Sequence, residues 1–407
     1  MVGGITMAAL AAVPAGADSL PRPPLQDLGV SGAHYTLTEK ADQFTTPPAA
    51  EYAPVGIDGA LTGTDRTALP GQNDAACAKR AGNLPGAALP TGSMFCWDTA
   101  AQGDKGNVES MPWVPQGIAT SGEAQLDGIP VGGKNRAAVI SWTWQNSPKG
   151  TTDYRHNSVK LAFANLDDKK YRFVLPVWVD GAGKQRRIYG HAGGLAWYGP
   201  YLFMSDTGAW NGQTRPGADK PGIRVFDTRK IYRKKDGGGG DYQYVMPEVR
   251  SYLSGGASFH FLSLDRHSTG GASLVGGTYK TSKGSPNGGT ELYRYRFGDD
   301  YRLQPKAVQG WKSTVTQDGA NAISDVQGVQ ADGDTLFVNM SKGSLTNRRF
   351  ATVGVAGSPA DWTIKSRKDW AFRPQDLSLW YGTQELWGLT EGEEERVVFS
   401  VKTDLLR

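Results

Sequence analysis

Five stretches carry one pattern: PQGIATSG from Pro115, AGGLAWYGPYLFMSDT from Ala192, FHFLSLDRHSTGGASLVGGTY from Phe259, VQGVQADGDTLFVNMS from Val326 and PQDLSLWYGTQELWGLTEG from Pro374. Each opens on a polar or small residue, continues as a short apolar run, breaks at a turn and resumes as a second run. Such runs, bounded by Gly, Asn and Asp, read as strands. A third run follows each time: SVKLAFANL from Ser158, GIRVFDTRK from Gly222, ELYRYRF from Glu291, FATVGVAG from Phe350 and ERVVFSVKT from Glu395. A fourth follows in the first four units: YRFVLPVWV from Tyr171, YQYVMPEV from Tyr242, LQPKAVQGW from Leu303 and DWTIKSRKDW from Asp361. The units start about 77, 67, 67 and 48 residues apart. No stretch of useful length has the apolar period of a helix.

Four strands per unit, repeated along the chain, predict an all-β fold, a five-bladed β-propeller over residues 115–407. Six blades is the alternative, should residues 30–110 form one of their own. A β-sandwich with chance similarity among strands competes less well, because the order of four strands repeats. The last unit stops at Arg407 after its third strand. An open edge invites aggregation, so a strand from the N-terminal part is expected to close it. Residues 93–97 (SMFCW) are the best candidate.

The composition fits. Gly is 54 of 407 residues, nearly double the ~7% average, as a turn-rich chain requires. A net charge of +4 is far from that of a dedicated nucleic-acid binder. Residues 1–17 read as the remnant of a signal peptide, an apolar run followed by an Ala-x-Ala site, and imply a secreted, extracellular protein. No window is long and apolar enough for membrane insertion. Residues 18–60, rich in Pro, Ala and Thr, read as an extended arm or linker, and residues 61–114 as an N-terminal segment holding both cysteines and the closing strand. Cys77 and Cys96 are the only pair, and an oxidising compartment predicts a disulfide between them.

The repeat gathers particular residues at one mouth of the ring. The starts of the first strands carry Gln116, Gly193, His260, Gln327 and Gln375, with His191 two residues before Gly193 and expected on the same strand face. A ring of Gln and His offers donors and acceptors to a common axis. The loops between second and third strands open on this face. They carry Lys149, Arg155, Arg215, Lys220, Lys280, Lys283, Lys342 and Arg348 against Asp153 and Asp219. Trp144, Trp210, Asn211 and Asn339 are interleaved with them. Cations mixed with aromatic and amide groups suit an anionic polymer, and a secreted protein meets acidic glycans more often than nucleic acid. No Gly-x-Ser-x-Gly elbow, His-Glu-x-x-His motif or Walker loop occurs.

Residues 115–402 resemble, in architecture, five-bladed propellers of secreted actinobacterial type. Arabinanase- and invertase-like glycosidases of that architecture use three axial acids. Here the equivalent positions hold Gln, Gly and His, and only Asp206, Asp376 and Glu391 could replace them. Propeller polysaccharide lyases, which use His or Tyr as base and Arg, Gln or Asn against a uronate carboxylate, match the residue types better. Three classes stay open. In a lyase on an anionic polysaccharide, His191 or His260 is the catalytic base, and Gln116, Gln327, Gln375, Arg155 and Lys342 bind substrate. In a glycoside hydrolase, Asp206 with Asp376 or Glu391 is the acid–base pair. The third class is a non-catalytic glycan- or protein-binding propeller. No cofactor is expected, although Glu391, Asp376 and residues 393–395 offer oxygens for a divalent cation at the mouth. The expected partner is an acidic glycan, and the chain is expected to be a monomer.

Overall fold

The computed structural model describes residues 23–40, 46–63, 66–67, 77, 84–85, 89–97, 113–144, 158–180, 184–207, 222–237, 243–280, 289–313, 323–341, 348–392 and 396–407. The fold is all-β. Five short strands come first: β1 (Leu25–Asp27), β2 (Leu37–Lys40), β3 (Tyr52–Pro54), β4 (Arg66–Thr67) and β5 (Thr91–Cys96). The first antiparallel meander is β6 (Trp113–Thr120), β7 (Ala137–Trp144), β8 (Val159–Asn165) and β9 (Lys170–Val179), followed by β10 (Gln185–Arg187) on its edge. The second is β11 (Leu195–Tyr198), β12 (Tyr201–Asp206), β13 (Gly222–Asp227) and β15 (Tyr244–Ser254), with the short β14 (Tyr232–Lys234) before the last. The third is β16 (Phe261–Asp265), β17 (Ser273–Gly277), β18 (Glu291–Phe297) and β19 (Leu303–Ser313). The fourth is β20 (Val326–Asp332), β21 (Thr335–Ser341), β22 (Arg348–Gly354) and β23 (Thr363–Asp369). The fifth is β24 (Pro374–Trp380), β25 (Glu385–Thr390) and β26 (Val397–Lys402). The first strands follow one another in a closed order: β6 lies beside β11, β11 beside β16, β16 beside β20, β20 beside β24 and β24 beside β6.

Middle strands read as unbroken apolar runs because both faces are buried. Along β8, Val159, Leu161 and Phe163 enter one core while Ala162 and Ala164 enter the next. Along β22, Ala351 and Val353 face one neighbour and Phe350 the other. Outermost β23 instead alternates exposed and half-buried residues. One apolar core fills each seam between successive meanders. The closing seam joins Phe95, Trp387 and Val398 of the fifth to Trp142 and Phe173 of the first. Each large side chain so buried contributes roughly 1.5–3 kcal/mol. Side-chain packing therefore holds the seams. Among the described residues, only the first two meanders also share ladder hydrogen bonds, through parallel β9 and β15.

The N-terminal arm runs along the outer edges. β1 pairs with β19, β2 with β15, β3 with β14 and β4 with β9. β5 then pairs with β26, with Val398 opposite Phe95, and gives the fifth meander its fourth strand. The outer edges of the first, second, third and fifth meanders are covered in this way. Cys77 and Cys96 are disulfide-bonded and fully buried, which ties the segment before β5 to the strand itself. Helices are short. α1 (Gly56–Leu61) sinks Ile57, Ala60 and Leu61 into the seam between the first two meanders. α2 (Ser121–Ala124) follows β6, with the Thr120 side chain accepting from the Glu123 backbone N–H.

Candidate functional site

Three first strands carry a bulge at the same place. The register slips between Pro115 and Ile118, between Val326 and Gly328, and between Pro374 and Leu377. These slips straddle Gln116, Gln327 and Gln375. A bulge breaks the ladder and re-aims side chains. Glycine beside two of them lets the strands converge: a Cβ on Gly117 would lie 2.9 Å from Ser141 Oγ, and one on Gly328 only 2.8 Å from Asp376 Cα. In the fifth meander the matching residue is Asp376, and its side chain enters the centre. Its Oδ2 accepts from the Ile118 N–H (3.2 Å) and the Leu195 N–H (2.9 Å), while burial holds its carboxyl well above the usual carboxylate range.

His191 and His260 come together at this level. The sequence placed His191 and Gly193 on one strand face, but β11 begins only at Leu195. They meet because the chain turns through Ala192, whose φ is 50°. Gly193 lies between the two histidines: a Cβ there would collide with the His260 carbonyl and lie 2.8 Å from His191 Cδ2. Thr143 Oγ1 donates to the His191 carbonyl (2.6 Å), and the His260 N–H donates to the Gly277 carbonyl (2.7 Å). Burial pushes both imidazoles down to about 4, and the charge of His260 adds to the effect on His191. Both rings are therefore neutral near pH 7. His260 Nδ1 is buried without a hydrogen-bond partner among the described residues.

The fifth meander adds a second polar group. Gln116 Nε2 donates to Glu391 Oε2 (3.4 Å), and the Glu391 carbonyl accepts from Arg396 Nε (3.2 Å). Burial raises the Glu391 carboxyl, opposed by Gln116, Arg373 and Arg396. Half-buried Tyr279 faces this side, its hydroxyl pushed up by burial and then by the charges of Asp325 and Glu391. Asp325 and Arg373 adopt φ of 54° and 45°, left-handed values that side-chain-bearing residues rarely accept. Backbone outliers of this kind cluster at functional sites. The sequence reading had Tyr279 among the aromatic groups of the loops at this mouth, but it missed Asp325 and Arg373. One signal was available: the residues just before the five repeats are Val114, His191, Ser258, Asp325 and Arg373, so His191 aligns with the latter two.

Other candidates have different surroundings. Asp206 is ion-paired to buried Arg224 (2.7 Å), which also holds Glu248 (2.5 Å). Trp144 is buried and packs edge-to-face on Trp113 at 5.3 Å, so it offers no open stacking face. Asn339 is buried and donates through Nδ2 to the Gln375 carbonyl. Gln327 is half-buried and Gln375 buried. Arg155, Trp210, Asn211 and Lys342 lie outside the described residues. Among those described, no cluster of three His, Cys, Asp or Glu side chains could hold a metal ion, and no helix is long and apolar enough to cross a membrane.

The two ends of the centre differ. At the far end Glu123 accepts from the Leu264 N–H (2.8 Å), the Trp197 N–H (3.2 Å) and Ser378 Oγ (3.1 Å). Gln330 donates to the Leu264 carbonyl (2.7 Å) and accepts from the Leu379 N–H (3.0 Å). Both side chains are satisfied, and they bind four first strands together. At the mouth, Gln116 Oε1, Asn339 Oδ1, Asp376 Oδ1 and His260 Nδ1 have no partner among the described residues. Buried polar atoms left unmatched call for water or a ligand, and these four stand beside His191 and Glu391 at the end taken as the candidate site.

No family model matches the chain, and no curated protein matches it either. Among solved structures the chain is similar to hydrazine synthase of Kuenenia stuttgartiensis, with a TM-score of 0.33 and 10% identity over 72% of this chain and 96% of that one. It is also similar to a candidate 6-phosphogluconolactonase of Bacteroides uniformis, with a TM-score of 0.28 and 7% identity over 62% of this chain and 65% of that one. Both likenesses are too distant to carry chemistry to this protein.

Proposed function

We propose that the five meanders are the blades of a β-propeller of secreted type, and that its mouth acts on an acidic polysaccharide by β-elimination. The observation behind this reading is the pair of neutral imidazoles, His191 and His260, with His260 Nδ1 buried and without a partner among the described residues. A neutral imidazole can accept a proton. One with its value near 4 is a weak base in the empty site, but a bound uronate carboxylate would raise it toward neutrality. His260 then removes the proton from the carbon next to the carboxylate. The electron pair forms the new carbon–carbon double bond, the glycosidic carbon–oxygen bond breaks, and the leaving oxygen takes a proton from water. His191, held neutral beside it by burial and by the charge of His260, is the second histidine of the mouth and a positioning residue. Gln116, Gln327 and Gln375 line the mouth as substrate contacts.

Hydrolysis fits the surroundings less well, because Asp206 is held by Arg224 and Asp376 by backbone N–H groups. The test incubates the purified protein with polygalacturonate, other acidic polysaccharides and neutral glucans, following absorbance at 235 nm and reducing ends in parallel. Elimination raises both on an acidic substrate, and His260→Ala lowers the rate by ~10²–10⁴-fold while the melting curve at pH 7.5, above the titration of the ring, is nearly unchanged. Reducing ends without the 235 nm signal would favour the hydrolase, and binding without either would favour a glycan-binding propeller.

A further inference from the structure

The chain enters β24 through a conformation that its residue disfavours. Arg373 has a φ of 45°, where a Cβ crowds the backbone and glycine is at ease. Only its backbone takes part in the fold, the carbonyl accepting from the Glu391 N–H at 3.2 Å. Any residue could supply that bond. The side chain is exposed and makes no hydrogen bond or ion pair among the described residues. Its guanidinium lies 5.3 Å from the ring of its chain neighbour Phe372, which is itself buried. Its charge acts on the nearby Glu391 carboxyl without forming an ion pair, and that carboxyl is hydrogen-bonded by Gln116. Folding thus gains little from arginine where glycine would be relaxed. A side chain kept in a disfavoured conformation, supported on an aromatic ring and without a hydrogen-bond or ion-pair partner among the described residues, is suited to a ligand.

We propose that Arg373 is the carboxylate-recognition residue of the mouth, its planar fork taking the carboxylate of an acidic sugar through two parallel hydrogen bonds. This rests on the acidic-polysaccharide reading. Guanidinium matches a carboxylate in shape as well as charge, and a lysine ammonium does not. The residue sits next in chain to the bulge that presents Gln375, and its aligned counterpart in the second meander is His191.

Two variants of the full chain test this, Arg373→Gly and Arg373→Lys, by calorimetric titration with oligogalacturonate and with its methyl-esterified form. Arg373→Gly is expected to melt no lower than the wild type, because the backbone is relieved, yet to bind oligogalacturonate about 10- to 100-fold more weakly. Its binding of the esterified form should be unchanged. Arg373→Lys should lie between. Equal affinity of wild type and Arg373→Gly for oligogalacturonate overturns the proposal, as does a marked fall in melting temperature, which would make the side chain structural. If the wild type binds no acidic oligosaccharide at all, the parent reading falls and takes this one with it. If the wild type binds and only the Arg373→Gly comparison fails, the parent reading stands.

Discussion

Replacing Glu123 with glutamine should change how stability depends on pH. Glu123 is fully buried at the far end of the centre, and burial pushes its carboxyl up to about 8, against the opposing pull of two backbone N–H groups and Ser378. The unfolded chain has an ordinary glutamate near 4.5. The folded state therefore binds the extra proton between those values. The contribution of this group is fully present below pH 4.5, declines as pH rises and levels off above 8. At 1.36 kcal/mol per unit, the decline from pH 5 to pH 9 comes to about 4 kcal/mol. Glu123→Gln removes the titration. At low pH the variant should be less stable by roughly 1–3 kcal/mol, because its amide N–H₂ must face the Leu264 or Trp197 N–H. Urea denaturation of both proteins at pH 5, 6, 7, 8 and 9 gives the difference directly, and taking the difference cancels the histidines. The lines should converge and cross as pH rises. A difference independent of pH would show that Glu123 titrates as an ordinary carboxylate, and the dry, strand-binding centre would be refuted.

Three further outcomes are expected. The histidine pair works in the opposite direction. Their folded values near 4 lie below the ordinary 6.5, so stability is lost as pH falls from 6.5 toward 4, by up to ~3 kcal/mol for each ring. His260→Gln should flatten that acid limb in melting curves, and an unchanged limb would contradict the burial of the ring. Cys77 and Cys96 close a loop with a sequence separation of 19, so replacing both with serine should cost about 3 kcal/mol. Intact-mass analysis of unreduced protein after alkylation should find no label, and two labels would refute the bond. Gly194→Ala forces a Cβ into the backbone of Phe261 and Leu262, and overpacking there should cost ~1–3 kcal/mol in urea denaturation. A neutral effect would mean that β11 and β16 are not so closely packed.

Much of the fold was legible because each middle strand is buried on two faces, and the sequence therefore repeats dense apolar runs such as VKLAFAN in β8 and TLFVNMS in β21. The closing strand was legible from an unpaired edge and one apolar stretch near Cys96. The path of the arm was not, because β1 to β4 add two to four residues each to outer edges and bury too little to create a period. The site was partly legible. The repeat singled out Gln116, Gln375, His191 and His260, and the structure sets His191 near His260 and Gln116 against Glu391. Bulges and left-handed residues are set by how the first strands converge, and a single sequence does not signal them. Asp376 and Glu123 go against the rule that carboxylates stay wet. Their burial follows from the backbone N–H groups that the crowded centre leaves to be satisfied, as with Leu195 and Leu264.

The central claim, that His191 and His260 form the ligand-binding mouth for an acidic glycan, is tested most directly by NMR of the imidazoles. The chain has only 5 histidines, so each ring can be assigned by substitution and titrated. Two rings, those of His191 and His260, should remain neutral down to about pH 4 in the free protein. On addition of oligogalacturonate, those two should shift and titrate at higher pH, while a neutral oligosaccharide leaves them unmoved. Ordinary titration of both rings near 6.5 in the free protein, or no response of either to the acidic oligosaccharide, would contradict the account.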